Sequence, residues 1–406
     1  MTGVAMLSGV RVLDLGGGEA LSYAGRMFAD LGADVILVEP PDGGPARLVP
    51  PLVMTPVGEV STHFVAMSAG KRSVTLALSS PQGRELVRRL VERVDVVLST
   101  EPVGRLEALG LGYEELRQIN PRLVFTSVTP FGRSGPRRRW LGSDLVGWAV
   151  SGALPSVGDA DRAPLAPAGG LADMTSAMNA AVGTLVALRV RRRTGMGQMV
   201  DISQQEAVLS VSMEASPAYV MDTGAWQERR GKRRATPPMG HYATKDGAVT
   251  IVAFTPWQWD ALAEWISDET GITEVTLDLF KGTPADRAPY VEAIDAWVES
   301  LTMRYSKQAF AEEAQRRGIP STPVNSAADL FEDPHLRATG GWTEIDGGAL
   351  GPLRFPVPPL RFDGQTSTVG AVPALGAHNR AVFVDELGLT EEDLQRLSPP
   401  PFPPFM

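Results

Sequence analysis

In the first third of the chain, short β-branched runs alternate with stretches whose apolar residues fall at helical spacing. Val10 to Leu15 and Val35 to Val38 read as strands, and Ser22 to Leu31 between them sets Phe28 and Leu31 on one helical face. "RSVTLAL" begins a second unit, followed by a helix over Pro81 to Val94 and the run "VDVVLS". Pro81, placed after Ser79 and Ser80, sits in a first turn where its missing N–H costs nothing. The helical "YEELRQI", leading into "RLVFTSVTPFG", makes a third unit. Strands alternating with helices of this length predict an α/β fold with a mainly parallel, doubly wound sheet.

After "GRSGPRRRW" the pattern changes. Asp173 to Arg193 is an Ala-rich helix that ends on arginines, as the helix dipole favours, and "TGMGQ" stops it. "GAWQERRGKRRATPPMG" has the composition of a linker, and the strands of "YATKDGAVTIVAF" open a new segment with helices of its own. From Gly340 the chain is rich in glycine and proline, and a last helix is expected over Glu391 to Leu397. No internal repeat of useful period is present.

Composition narrows the function classes. The 406 residues carry a formal charge of -9, a field that repels nucleic acid and anionic membranes. The absence of cysteine excludes disulfides, thiolate metal sites and cysteine nucleophiles. The four histidines, His63, His241, His335 and His378, are too scattered to suggest a histidine-rich metal site. With no signal-like N-terminus and no uninterrupted apolar run of spanning length, a soluble, cytoplasmic protein is expected.

The opening "VLDLGGGEALSYAG" invites a dinucleotide reading. Gly16 and Gly18 fit the first two glycines of that fingerprint, and Glu39 lies where such folds hold the ribose. The third glycine position is Leu21, so a tight strand-to-helix turn is the favoured reading over NAD binding.

Ten segments in order, among them "GVRVLDL", "FADLGADVILVEPP", "GKRSVTL", "LGLGYEELRQINPRLVFTSVTPFGRSGP", "SDLVGWAVSG", "LADMTSAMNAAVGTLVAL", "RTGMGQMVDIS" and "ALGAHNRAVFVDELGL", resemble the family III CoA-transferases, also called the CaiB/BaiF family. The resemblance covers nearly the whole chain. It implies a Rossmann-like large domain built from residues 1–215 and a return segment 336–406, a linker at 216–235, and a smaller domain at 236–335. It also implies an obligate, interlocked homodimer.

The chemistry implied is transfer of CoA from an acyl-CoA donor to a carboxylic acid, through anhydride and aspartyl-CoA intermediates, with no metal or tightly bound cofactor. The family's aspartate falls on Asp173. Read on its own, an aspartate at a helix start is an ordinary N-cap. As a nucleophile, it would have its pKa lowered by the helix terminus, with nearby backbone N–H groups to stabilise an oxyanion. The related racemases carry a histidine in a "GHD" element, where this chain has Ser143, which disfavours an α-methylacyl-CoA racemase or epimerase. Asp144 beside it reads as structural.

Several positions depart from the family pattern. "ENFRPG" is replaced by Ser99 to Gly104, placing Glu101 where an aromatic is usual; Ser79 takes a lysine position and Ala108 a basic one. Glu19 stands at the formyl-CoA enzyme's glutamine, and a second anion there would raise the pKa of Asp173. The resulting CoA-contact set is Gly18, Glu19, Ala20, Arg47, Lys71, Arg72, Leu76, Thr100, Arg105 and Arg138, with other arginines of the run Arg137 to Arg139 as candidates. Gly240 and His241 are candidates for the acceptor. Trp257 and Trp259 read as second-domain core in preference to an adenine platform. The departures leave three readings open: CoA held by these cations, a changed donor or acceptor, or a fold that has lost the transfer reaction.

Overall fold

A computed structural model describes residues 5–16, 18–56, 58–158, 161–212 and 237–397; the expected linker at 216–235 lies outside them. Contacts divide the chain into two units, one drawn from Met1–Leu154, Ala166–Gly224 and Leu336–Met406, the other from Pro155–Leu165 and Ala225–His335. The short segment Pro155–Leu165 thus leaves the continuous 1–215 stretch that was expected.

The first unit is built on a six-stranded sheet. In chain order it contains β1 (Arg11–Asp14), α1 (Glu19–Asp30), β2 (Asp34–Glu39), α2 (Thr62–Ser68), β3 (Arg72–Thr75), α3 (Pro81–Val91) and β4 (Val96–Ser99). There follow α4 (Tyr113–Ile119), β5 (Val124–Thr129), α5 (Asp144–Val150), α6 (Leu171–Thr194), β6 (Met199–Ser203) and α7 (Gln204–Val211). The strand order is β3-β2-β1-β4-β5-β6, with every pair parallel. Chain direction across the sheet therefore reverses between β1 and β4, and in open parallel sheets the crevice beyond the carboxyl ends at such a point is where ligands bind.

Alternation along the strands supplies two cores. Leu13, Ile36, Val38, Val97 and Phe125 face α3, while Val12, Val35, Val96, Leu98 and Val124 face α1 and α6. Ser80 caps α3 by accepting from Gly83 N at 2.9 Å, with Pro81 in the first turn. The helix stops at Val91, short of the expected Val94, because the chain must turn there to enter β4.

α6 is long and apolar enough, by length and composition alone, to cross a membrane. Here it is a core helix: Ala177, Ala180, Ala181, Ala187 and Leu188 bury it in the cluster that holds α1. Its Thr184 hydroxyl lies 2.6 Å from that of Thr126 on β5. Small residues let α6 lie close to its neighbours, and that closeness fixes the position of its first turn.

The return segment ties down the edge strand β3. Asn379 Oδ1 accepts Thr75 N and its Nδ2 donates to Thr75 Oγ1, both at 2.8 Å, and Val382 and Phe383 enter the α3 core. An edge strand covered in this way is closed to pairing with another chain.

The second unit carries an antiparallel sheet of β7 (Met239–Thr244), β8 (Gly247–Val252) and β9 (Ser321–Pro323), with β8 central. Helices α8 (Pro256–Thr270), α9 (Val291–Thr302) and α10 (Lys307–Arg316) pack a core around Trp259, Trp265 and Phe310. Trp257 was expected in that core but is 56% exposed: it falls in the first turn of α8, on the face away from Trp259, beside Gly318.

Candidate active site

A polar cavity of about 340 Å³ opens at the reversal point of the sheet. Gly18 and Ala20 line it from the start of α1, Thr100, Glu101 and Arg105 from beyond β4, Thr129 and Pro130 from β5, and Ser143, Asp173 and Gln204 from the starts of α5, α6 and α7. A second cavity of about 510 Å³, lined by Gly16, Glu39, Pro40, Pro41, Leu76, Ser79 and Arg105 among others, follows the carboxyl ends of β1, β2 and β3. Glu101 and Arg105 line both.

The glycine turn after β1 is held by its own sheet. Gly16 N donates to Asp14 Oδ1 at 3.0 Å, and Asp14 Oδ2 accepts Lys71 Nζ at 2.8 Å in a fully buried pair. A Cβ on Gly18 would lie 2.9 Å from Thr100 Oγ1, so only glycine lets the β1–α1 turn approach the end of β4 this closely.

Asp173 is the third residue of α6, not its cap. Gly170, at φ 63°, occupies the cap position without a side-chain bond, and Gly169 precedes it at φ 81°. The capping oxygen comes from another helix: Asp144 Oδ1 accepts Ala172 N at 2.7 Å and Asp173 N at 3.2 Å. Gln204 Nε2 donates to Asp173 Oδ1 at 2.8 Å.

Burial, then the charge of Asp144, then that of Glu19 push the Asp173 carboxyl up to about 7, opposed only by the Gln204 hydrogen bond. The net shift is thus opposite to the lowering expected from the helix terminus, because burial and the two neighbouring carboxylates outweigh it. The expected effect of Glu19 has the right sign. Glu19 heads α1, with Oε1 3.5 Å from His63 Nε2 on α2.

The cations proposed for CoA do not converge on this cavity. Lys71 is committed to Asp14, and Arg72 to Asp34 at 2.7 Å and Glu386 at 2.6 Å. Arg47 binds Glu39 through two bonds of 2.7 and 2.8 Å and stacks on Phe64. Arg138 is exposed and bonds to Gly135 O. Arg105 reaches both cavities, paired with Glu101 at 2.7 Å. Gly240 and His241 belong to β7 of the second unit, where His241 Nδ1 lies 3.0 Å from Thr250 Oγ1.

This arrangement of a half-buried aspartate, a reversal-point crevice and an adjoining larger cavity accompanies a sequence match to CoA-transferase family III over residues 7–379. The chain belongs to CoA-transferase family III, and is an enzyme of that family. It is 34% identical to the succinyl-CoA–D-citramalate CoA-transferase of Chloroflexus aurantiacus, over 96% of either chain. It is 32% identical to the succinyl-CoA:mesaconate CoA-transferase of Haloarcula hispanica, over 94% of this chain and 96% of that one. A solved CaiB/BaiF family protein from Brucella suis superposes with a TM-score of 0.83 at 30% identity, covering 95% of this transferase and all of the other.

Two residues of the site escaped the sequence reading. Gln204 follows the strand "MVDIS", and "SQQE" announces a capped helix there without showing that its first side chain turns toward Asp173. His63 was weighed only as a metal ligand; its place beside Glu19 depends on how α2 packs on α1.

Proposed function

We propose that this transferase moves CoA from succinyl-CoA to a small dicarboxylic acid, with Asp173 as nucleophile. The carboxyl of Asp173 at the wall of the smaller cavity carries the reading: it has no cationic partner among the described residues and burial raises its pKa, whereas the other carboxylate on that wall, Glu101, is paired with Arg105. The donor and acceptor class rests on the citramalate and mesaconate transferases, whose named acceptors are both dicarboxylic acids.

In the first step Asp173 Oδ2 attacks the thioester carbonyl, the C–S bond breaks, and CoA leaves as thiolate, giving a mixed anhydride. The thiolate then attacks the aspartyl carbonyl and expels succinate, leaving an aspartyl-CoA thioester. The acceptor carboxylate attacks that thioester and releases the thiolate again, which takes the acceptor acyl group and frees Asp173. Each step exchanges one acyl bond for another, so no oxidant or net proton is needed. The larger cavity would hold the nucleotide end of CoA, with Leu76 on its wall and Arg105 at the junction; Gly18, Ala20 and Thr100 would pass the pantetheine arm toward Asp173. The working form is a homodimer, in which a second copy covers Met178, Val182 and Val186, an exposed apolar stripe on the helix of the nucleophile.

The full chain should be assayed with succinyl-CoA against mesaconate, citramalate, malate, glutarate and acetate, with acyl-CoA products separated by chromatography. Transfer to the four- and five-carbon dicarboxylates above acetate supports the assignment; preference for acetate would overturn the substrate class.

A further inference from the structure

Asp173 offers its two oxygens unequally. Oδ1 accepts Gln204 Nε2 at 2.8 Å, and among the described residues Oδ2 accepts no hydrogen bond. The position of the amide is fixed by its surroundings. Gln204 is buried at the first position of α7, and its neighbour Gln205 anchors the turn by donating to Val150 O at 3.0 Å. Gly147 on α5 lies flat against it, where a Cβ would come within 2.9 Å of Gln204 Cδ and Oε1.

We propose that Gln204 is a catalytic residue, which stabilises the oxyanion formed on Asp173 Oδ1. This rests on Asp173 being the nucleophile. When Oδ2 bonds to an acyl carbon, Oδ1 becomes the carbonyl oxygen of the aspartyl anhydride. Attack by the CoA thiolate on that carbonyl converts Oδ1 to an alkoxide, and collapse of the tetrahedral carbon expels the carboxylate. The same oxygen is charged again when the acceptor carboxylate attacks the aspartyl thioester and thiolate leaves. The donor therefore sits in the ground state where the charge will appear.

Its effect is differential. A carboxylate shares one negative charge between two oxygens, whereas the tetrahedral adduct places it on Oδ1 alone, so the same bond strengthens on the way to the transition state. The backbone donors expected at the helix start are not available for this: Ala172 N and Asp173 N already donate to Asp144. A donor 2.7–3.1 Å from the oxyanion position is the geometric requirement, and the side chain of Gln204 meets it.

The test uses full-length protein with succinyl-CoA and mesaconate, comparing wild type, Gln204→Met and Gln204→Glu. Methionine keeps the length and volume without a donor; glutamate keeps the shape and, once ionised, offers only acceptors, so wild type and both variants are assayed at pH 9. Both should lower kcat by about 100-fold, with KM for succinyl-CoA changed less than about threefold. After mixing with succinyl-CoA alone and acid quench, mass spectrometry should find the aspartyl-CoA adduct on the wild-type peptide carrying Asp173, and the succinyl adduct retained in Gln204→Met. Wild-type kcat in either folded variant, or a loss confined to KM, would overturn the proposal. Absence of any adduct on wild-type Asp173 would instead remove the nucleophile reading beneath it.

Discussion

Asp144 both holds Asp173 and opposes its ionisation. Its Oδ1 accepts the N–H of Asp173 at 3.2 Å, together with that of Ala172, while its charge helps raise the Asp173 carboxyl to about 7. One carboxylate thus helps fix where the Asp173 carboxyl stands and, after burial, contributes most to raising its pKa. The two roles separate by substitution. Asp144→Asn keeps an acceptor and removes the charge, so the acid limb of the kcat/KM profile should move down by on the order of one pH unit. Glu19→Gln should move it in the same direction by less, since Glu19 is the smaller of the two charge effects. An unmoved limb in both variants would show that Asp173 is not the group titrating there.

A carboxyl held above its unfolded value stabilises the fold fully below the unfolded pKa, near 4, and that stability is lost as pH rises through the folded value. For Asp173 the window runs from about 4 to about 7; for Asp30, raised by burial to about 6 against the opposing charge of Arg26, it is narrower. Asp173→Asn removes the larger contribution. Allowing for solvent at the cavity mouth, it should be more stable than wild type at pH 8 by about 2 kcal/mol, with little gain at pH 4.5. Urea melts at the two pH values give the comparison, and equal midpoints at pH 8 would contradict it.

Lys71 and Arg105 should respond in opposite ways. Lys71→Met leaves Asp14 charged and unpaired beneath the glycine turn, a loss of about 3–5 kcal/mol that shows as a large drop in Tm. Arg105→Ala removes an exposed arginine whose partner Glu101 still faces the solvent-filled cavities, so Tm should fall little while KM for succinyl-CoA rises. A destabilised Arg105 variant with unchanged KM would remove Arg105 from CoA binding.

Val182→Lys places a charge in the middle of the exposed stripe on α6 without touching the buried face. Light scattering should find wild type as a dimer and the variant as a monomer or aggregate. A dimer with unchanged dissociation would move the interface elsewhere.

The parallel sheet was legible because strand and helix periods alternate cleanly from Val10 to Thr129, and the long helix that carries Asp173 in its first turn because its Ala-rich run is uninterrupted up to the arginines. What the sequence hid was partnership. Lys71, Arg72 and Arg47 read as cations near a phosphate site, but Lys71 and Arg72 have carboxylates from distant strands or segments, Asp14 and Asp34 with Glu386, while Arg47 pairs with Glu39 at the end of β2. The two distant pairings arise from strand order and from the return segment, which no local spacing encodes. Gln204 was hidden for the same reason: its neighbours in sequence announce a helix cap, and only the packing of α7 against α5 and α6 turns its amide toward Asp173. The helix-dipole expectation failed because burial, followed by the charges of Asp144 and Glu19, governs the Asp173 carboxyl, and burial is a product of packing that the sequence does not show.

The central claim is that Asp173 becomes covalently attached to CoA during turnover. Wild-type enzyme incubated with succinyl-CoA, treated with borohydride and digested should yield a peptide spanning Asp173 in which that side chain is reduced to the alcohol, and Asp173→Asn should yield none and show no transfer. Full CoA transfer by Asp173→Ala, or reduction at another carboxylate such as Glu19 with Asp173 untouched, would contradict the account.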